Sequence, residues 1–139
     1  MNYQQTFITV APDCPVEHSV VPTAKGDARP VHLIQYELLT QNPYTFTGQE
    51  LIFETHIQRL GLSKAEVKAK REKIWNELFS KDHACLRSSA LAKKYGWGFH
   101  YDDQGRIAIY AMESKEYKRL SRGGAKDPKV LAAMRSKRA

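Results

Sequence analysis

The sequence has no long apolar run and only two cysteines, and each absence excludes a class of protein. No apolar stretch approaches the roughly 18–20 residues that span a bilayer, so we expect no transmembrane helix. Residues 1–5 lack the basic start and apolar core of a secretory signal, which favours a cytoplasmic location. Cys14 and Cys85 lie far apart without a CxxC motif, so neither a disulfide framework nor a zinc site is predicted, and both should be free thiols.

Familiar catalytic and cofactor motifs are missing as well. The five histidines show no HxH, HxxxH or HExxH spacing, so no metal site is predicted. There is no GxGxxG, no GxxxxGK[ST] and no GxSxG. We therefore expect no bound cofactor and no nucleotide enzyme of a familiar type, whereas a small enzyme of an unfamiliar type stays open.

The excess positive charge lies at one end of the chain. The whole sequence has 22 Lys and Arg against 15 Asp and Glu, a net charge of +7. Residues 115–139 contain nine basic and two acidic residues, so they carry the whole net charge of +7. Residues 1–114 therefore contain equal numbers of basic and acidic residues. A segment whose charges are mostly positive attracts polyanions or acidic surfaces. The residues expected to bind an anionic partner are Lys118, Arg119, Arg122, Lys126, Arg135, Lys137 and Arg138.

Nucleic acid is one partner that this basic segment predicts, because Lys and Arg neutralise phosphates. Tyr117 could stack on a base, but the chain has no RNP sequence and no GXXG loop. The alternatives are a solvated segment that aids solubility, a helix packed on the body or on a second copy of the chain, and contact with an acidic protein or a membrane surface. Among partners, we favour nucleic acid or another anionic molecule over a membrane, and a homodimer stays open.

Apolar spacing and capping motifs predict four helices before the basic segment. Pro30 suits the first turn of a helix that ends before Asn42-Pro43. Two sequences of the type S/T-x-x-E, Thr47–Glu50 and Ser63–Glu66, are capping boxes that begin the next two helices. These two helices should run to about residue 60 and residue 80, and a fourth should cover about residues 82–95.

An antiparallel hairpin over residues 97–112 is the clearest structural signal. Trp97, Phe99 and Tyr101 alternate with smaller or polar residues, which is the period of a strand. The turn over residues 103–105 ends in glycine, and residues 106–112 form the return strand. A three-residue loop would place Tyr101 opposite Ile107 on the core face.

The second face of this hairpin would carry His100 and Tyr110 beside the small residues Gly98 and Ala108. One interpretation is a pocket that holds an acid–base pair near neutral pH. The other is a covering helix, which small residues allow to approach closely. We favour the covering helix and keep a pocket near His100 and Tyr110 as the alternative.

A third cluster lies within residues 13–18, just after the strand predicted at Thr6–Val10. Cys14 is followed by His18, and a histidine can lower a thiol pKa. Nearness in sequence does not supply the geometry of a nucleophile and its base, so we favour an inert Cys14 beside a turn.

Together these signals predict an α+β fold with one globular domain over residues 1–114. A small antiparallel sheet, formed by the N-terminal strand and the hairpin, should pack against three or four helices. Residues 115–139 should be a separate basic arm or a docked helix, the latter beginning at Asp127-Pro128 and packing Val130, Leu131 and Met134. The residues predicted to form the core are Phe53, Ile57, Leu60, Ile74, Trp75, Leu78, Trp97, Phe99, Tyr101, Ile107 and Ile109.

The segments Tyr95–Asp102, Thr6–Ala11 and Ala133–Arg138 together resemble a family of small bacterial proteins of unknown function, about 140 residues long. The resemblance covers the whole chain and implies a single-domain bacterial cytosolic protein. It carries over no functional residue. The function that the residues favour is a non-enzymatic binding protein that uses its basic segment for an anionic partner. The alternative is a small enzyme or ligand-binding domain with its pocket near His100 and Tyr110.

Overall fold

The computed structural model describes residues 3–124 and 127–136, which build a four-stranded mixed sheet with helices on both sides. The strands lie in the order β3-β2-β1-β4. Their ranges are β1 Thr6–Thr9, β2 Trp97–Tyr101, β3 Ile107–Ala111 and β4 Lys129–Ala132. The predicted α+β class is confirmed, and the sheet is mixed rather than purely antiparallel because β4 runs parallel to β1.

Five α-helices lie within the described residues, and none of them is long and apolar enough to cross a membrane. Both predicted capping boxes are present, at Thr47 with Glu50 and at Ser63 with Glu66. The helices are α1 Val31–Gln41, α2 Gly48–Leu60, α3 Lys64–Leu78, α4 Ala90–Lys93 and α5 Lys115–Leu120, with a 3-10 turn at Leu86–Ser88.

The hairpin of β2 and β3 has the predicted register, with Tyr101 opposite Ile107 and Phe99 opposite Ile109. Gly105 has φ +78° at the end of the turn, where a side chain would be strained. The carboxylate of Asp102 accepts hydrogen bonds from the amides of Gln104 and Arg106. The alternation of β2 and β3 therefore places Phe99, Tyr101 and Ile107 on one face, where all three are buried.

The main core lies between this face of the sheet and the helices α1, α2 and α4. Leu39, Leu51 and Leu91 come from the three helices and are almost completely buried. They pack with Ile8 of β1 and Phe99 of β2 in one cluster. Trp97 and Ile109, also predicted core residues, are half-buried at its margin.

The predicted contribution of α3 to this core is wrong. No residue of α3 is buried, and Leu60 at the end of α2 is 54% exposed. Trp75 instead packs against the ring of Phe53, with centroids 5.1 Å apart, so α3 contacts α2 rather than the sheet. The apolar residues of α3 pack against α2, because α1, α2 and α4 already fill the space over the sheet.

The predicted fourth helix over residues 82–95 is shorter than expected. The chain forms a 3-10 turn at Leu86–Ser88 and then the short helix α4. Ser89 has an extended backbone between them, and its hydroxyl accepts a hydrogen bond from the Leu91 amide. Serine favours such a cap over a helix interior, and this preference breaks the helix.

The predicted terminal helix, with Val130, Leu131 and Met134 on one face, is also wrong. Val130 and Leu131 lie in the strand β4, and Met134 follows it. The Lys129 amide donates to the Gln5 carbonyl, and the Ala133 amide donates to the Thr9 carbonyl. β1 would otherwise present an unpaired edge, and pairing that edge outweighs the helix signal of Asp127-Pro128. The Asp127 carboxylate instead accepts from the Gly124 amide at 3.1 Å and closes a turn before β4.

The second face of the sheet is crossed by α5, which connects β3 at one edge of the sheet to β4 at the other edge. Tyr117 packs edge-on against Phe7 of β1, with ring centroids 5.1 Å apart. A Cβ atom at Gly98 would lie 2.6 Å from Phe7 and 2.7 Å from Tyr117, so only glycine permits this contact. The division of the chain at residue 114 stays a prediction, although α5 packs on the sheet and β4 is one of its strands.

Candidate functional site

The outer surface of α5 is basic because its apolar side chains turn inward. Tyr117 and Leu120, three residues apart, face the sheet, and Leu120 is 2% exposed. The remaining surface exposes three cations, Lys115, Lys118 and Arg119, and one carboxylate, Glu116. The Ser114 hydroxyl caps the helix by accepting from the Tyr117 amide at 3.2 Å. This short helix therefore presents its cations at defined positions above the sheet.

Two further exposed cations lie near the end of this helix. Arg122 follows α5, and Lys129 begins β4. A side-chain atom of Val130 lies 3.8 Å from the Cβ position of Gly123, so the end of α5 and the start of β4 are close together. We call Lys115, Lys118, Arg119, Arg122 and Lys129 the basic face.

No carboxylate forms an ion pair with the basic face within the described residues, although Glu116 is exposed on the same helix. Over residues 3–124 and 127–136, the ion pair between Arg29 and Glu37 is the only one, and it lies elsewhere, at the start of α1. Of the predicted partner-binding residues, Lys118, Arg119 and Arg122 are brought together here. Arg135 is exposed beyond β4, and the predicted sites Lys126, Lys137 and Arg138 lie outside the described residues.

A hydrogen-bonded network of Tyr44, His100 and Tyr110 lies on the same face of the sheet. The Tyr44 hydroxyl is 2.7 Å from Nδ1 of His100 and 2.7 Å from the hydroxyl of Tyr110. His100 comes from β2 and Tyr110 from β3, and the alternation of both strands points them away from the helical core. The structure thus joins the two residues of the predicted pocket through a third, Tyr44.

Tyr44 reaches the network from the connection between α1 and α2. Its amide donates to the Ile107 carbonyl at 2.9 Å, and the Ile107 amide donates to the Phe46 carbonyl at 3.0 Å. This segment therefore lies along the open edge of β3. Tyr44 has φ +55°, a left-handed conformation that is uncommon outside glycine. Two interactions with β3, at the backbone and at the hydroxyl, hold it there.

His100 and Tyr44 are uncharged near pH 7. Burial lowers the pKa of His100, an effect that nearby Asp102 opposes and Arg119 reinforces. Burial raises the pKa of Tyr44 far above its ordinary value, and the hydrogen bond to Tyr110 raises it further. A neutral imidazole and two phenols can donate and accept hydrogen bonds and can relay a proton. Arg119 acts electrostatically on both Tyr44 and His100, which connects this network to the basic face.

Sequence reasoning did not identify Tyr44. It stands just after Asn42-Pro43, a signal that predicts only the end of a helix. Its place beside His100 depends on the path of residues 43–47 along β3, and no local motif specifies that path. An aromatic residue in a turn between helices was the only available signal.

The Cys14 cluster does not assemble into a nucleophilic site in the described part of the chain. Cys14 is half-buried and packs against the helix-covered core. Its amide donates to the Ala11 carbonyl at 3.0 Å, as in a turn, and no hydrogen bond joins its thiol to His18. Within the same described residues, no group of three His, Cys, Asp or Glu side chains could hold a metal ion.

Comparison with protein families places the whole chain in one of them. The model of a family of unknown function, DUF6157, matches residues 1–139, so the chain belongs to that family. This confirms the resemblance to a family of proteins about 140 residues long, while a bacterial origin stays a prediction. No curated protein and no solved structure is detectably similar to the chain.

Proposed function

We propose that this member of the DUF6157 family is a binding protein whose basic face engages an anionic partner, with nucleic acid as the favoured class. The observation that carries the proposal is a set of exposed cations that form no ion pair within the described residues. Four of them lie on or just after α5, which docks on the sheet, and the fifth begins β4. Unpaired Lys and Arg side chains on one surface create the positive potential that attracts phosphates.

The anchoring of α5 supports this proposal. The Tyr117 hydroxyl accepts a hydrogen bond from the Val10 amide at 2.9 Å, and Leu120 is buried beneath the helix. The cations are therefore held on a fixed support rather than on a flexible arm. A fixed support reduces the conformational entropy that is lost when several phosphates are contacted together.

The network beside Arg119 adds hydrogen-bonding groups of a kind that nucleic acids use. Phenol and imidazole groups at Tyr110 and His100 can bond to phosphate or sugar oxygens, and such contacts position a nucleic acid without reading its sequence. The chain has no recognisable sequence-reading motif. We therefore expect binding with little sequence preference.

The test compares two full-length variants, each lacking three exposed cations. The first carries Lys118→Gln, Arg119→Gln and Arg122→Gln; the control carries Lys68→Gln, Lys70→Gln and Lys73→Gln on α3. Full-length protein is needed because truncation after residue 114 would remove β4 and leave an edge of β1 unpaired. Fluorescence anisotropy with labelled single-stranded RNA and duplex DNA, at low and physiological salt, measures the binding.

The first variant should lose affinity, while the control should bind as the parent does. For a single strand, each lost phosphate contact should reduce the slope of log K against log salt by about 0.7, or about 2 for three contacts. Equal binding by the two variants would show that total charge rather than the basic face is responsible. Failure of the parent to bind either nucleic acid at low salt would overturn the nucleic-acid proposal.

A second candidate function is a small-ligand site at His100 and Tyr110, favoured by the two 2.7 Å hydrogen bonds of Tyr44. Inorganic phosphate and a mononucleotide are suitable probes, because Arg119 supplies a cation beside the network. Histidine ring signals in NMR should shift at His100, and the shift should disappear in Arg119→Gln. Unchanged His100 signals at saturating probe would mean that the network only holds Tyr44 on the sheet.

A cytoplasmic location is part of the proposal. Cys14 and Cys85 are both free thiols. Free, half-buried thiols suit a reducing compartment, where structural disulfides are rare. Fractionation of cells that express the full-length chain would test it, with recovery in a secreted or periplasmic fraction as the contrary result.

A further inference from the structure

A cavity of about 300 Å³ lies on the opposite side of the molecule from the basic face. Its walls come from α1, from the start of α2 and from residues 84–90, and the ring of Tyr101 reaches it from the sheet. Exposed Val31 and Ala84 mark its opening to solvent. Small-molecule sites begin at about this size, and most are apolar with a few placed polar groups.

The side-chain amide of Gln35 is the polar group of greatest interest in this cavity. Gln35 is 9% exposed and lines the cavity from α1. The Ser89 hydroxyl donates to its Oε1 atom at 2.9 Å. Ser89 already accepts from the Leu91 amide, so its own proton is available for Gln35 and fixes the amide orientation. The Nε2 group of Gln35 then faces away from Ser89 and has no hydrogen-bond partner among the described residues.

Two other polar side chains around the cavity already have hydrogen-bond partners. The Ser88 hydroxyl donates to the sulfur of Met134 at 3.1 Å. The Cys85 thiol lies 3.5 Å from the Tyr3 hydroxyl. His32 stacks on Tyr95, and burial together with Lys25 and Lys94 lowers its pKa, so its ring is neutral near pH 7. His32 makes no hydrogen bond to its ring within the described residues but is less buried, so Gln35 is the most buried polar side chain of the cavity with a donor that a ligand could meet.

We propose that this cavity binds a small, mainly apolar molecule that carries a carbonyl oxygen, as a carboxamide or a carboxylate, and that this oxygen accepts from Gln35 Nε2. The apolar part of the molecule contacts Ile52, Leu86 and the Tyr101 ring. No buried side-chain donor lacks a partner within the described residues, so Gln35 Nε2 is open to solvent in the cavity. A ligand that covers Nε2 and supplies an acceptor should bind better than one of equal shape without an acceptor, because the second ligand would leave the donor buried and unsatisfied. The site is independent of the basic face and shares no residue with it.

The test uses Cys85 as a reporter, because its side chain lines the cavity. In a Cys14→Ala background, the rate of Cys85 alkylation by iodoacetamide is measured by mass spectrometry. The probes are benzamide, benzoate and toluene, which share a benzene ring. Benzamide carries a neutral acceptor oxygen, benzoate carries charged acceptor oxygens, and toluene carries no acceptor. Benzamide or benzoate should slow alkylation at concentrations ~3- to 10-fold lower than toluene. Comparison of benzamide with benzoate shows whether the neutral or the charged acceptor is preferred.

Two substitutions distinguish the role of Gln35 from simple filling of the cavity. Gln35→Leu should remove the advantage of benzamide and benzoate over toluene. Ala84→Leu, at the exposed mouth, should weaken all three probes in saturation-transfer NMR, whereas Ala65→Leu on α3 should change none. Equal protection by toluene and benzamide in the parent would overturn the role of Gln35. Alkylation that none of the probes slows would overturn the site itself.

Discussion

On one side of the sheet, three helices bury Phe99 and Ile107 completely; on the other, the six-residue helix α5 and the Tyr44 side chain cover His100 and Tyr110 only in part. The two faces are made from the same strands, and neighbours in sequence such as Phe99 and His100 belong to different faces. The three-helix layer excludes water and contributes most of the stability of the fold. The layer formed by α5 and Tyr44 leaves polar groups and cations accessible, so we place the proposed binding function on that face.

The largest expected effect separates the two faces by stability. Phe99→Ala should destabilise the protein by about 3–5 kcal/mol, because it leaves a cavity in the helix-covered core. Tyr110→Phe, on the other face, removes only a hydroxyl that bonds to Tyr44 and should cost about 1 kcal/mol. Urea unfolding followed by fluorescence measures both. Similar losses for the two variants would mean that the faces contribute equally to stability.

Gly98→Ala tests how closely α5 approaches the sheet. The added methyl group would meet Phe7 and Tyr117 below 3 Å and the Ile8 carbonyl oxygen at 3.0 Å, so α5 must shift. The expected destabilisation is about 1–3 kcal/mol. Hydrogen exchange of the α5 amides should accelerate more than that of α1. Gly61→Ala is the control, since it adds backbone strain in open space and should leave exchange in α5 unchanged.

Tyr117→Phe removes the hydroxyl that accepts a hydrogen bond from the Val10 amide, on the face covered by α5. The Val10 amide loses its acceptor, and the expected cost is about 1 kcal/mol. Tyr36→Phe is a matched control, because the Tyr36 hydroxyl makes no hydrogen bond within the described residues and its ring packs on Trp97. The control should change stability by less than about 0.5 kcal/mol. A smaller loss of stability in Tyr117→Phe than in Tyr36→Phe would contradict the anchoring of α5 by the Tyr117 hydroxyl.

The smallest expected effect is a dependence of stability on pH. The pKa of His100 is lowered from 6.5 in the folded state, so the unfolded chain binds this proton at a higher pH. Stability should therefore fall as the pH decreases below about 6.5, until the folded pKa is passed. His100→Gln should flatten this decline more than His32→Gln, since His32 is the less buried of the two. Chemical unfolding at pH 7 and pH 5 measures the difference.

Sequence patterns predicted the parts of this fold that depend on local periodicity and capping. The hairpin register follows from alternation around a three-residue turn, and the two capping boxes follow from side chains that bond to amides three residues away. The strand β4 could not be predicted in this way, because Asp127-Pro128 resembles a helix start and the unpaired edge of β1 lies far away in sequence.

The same distinction applies to the candidate sites. Lys118, Arg119 and Arg122 were found from charge alone, and His100 and Tyr110 from strand alternation. Tyr44 and Gln35 were not found, because each acquires its role from a partner on another element: His100 and Tyr110 for Tyr44, Ser89 for Gln35. A single sequence shows which residue types are present, but not which of them meet across the fold.

The pairing of β1 also bears on how quickly the chain can fold. β1 contacts Tyr101 of β2 on one side and Lys129 of β4 on the other, so each of its ladders joins segments separated by most of the chain. Closing such large loops loses chain entropy before any contact compensates for it, and proteins dominated by distant contacts fold slowly. The central strand is therefore expected to be ordered late, after the hairpin and the capped helices have formed.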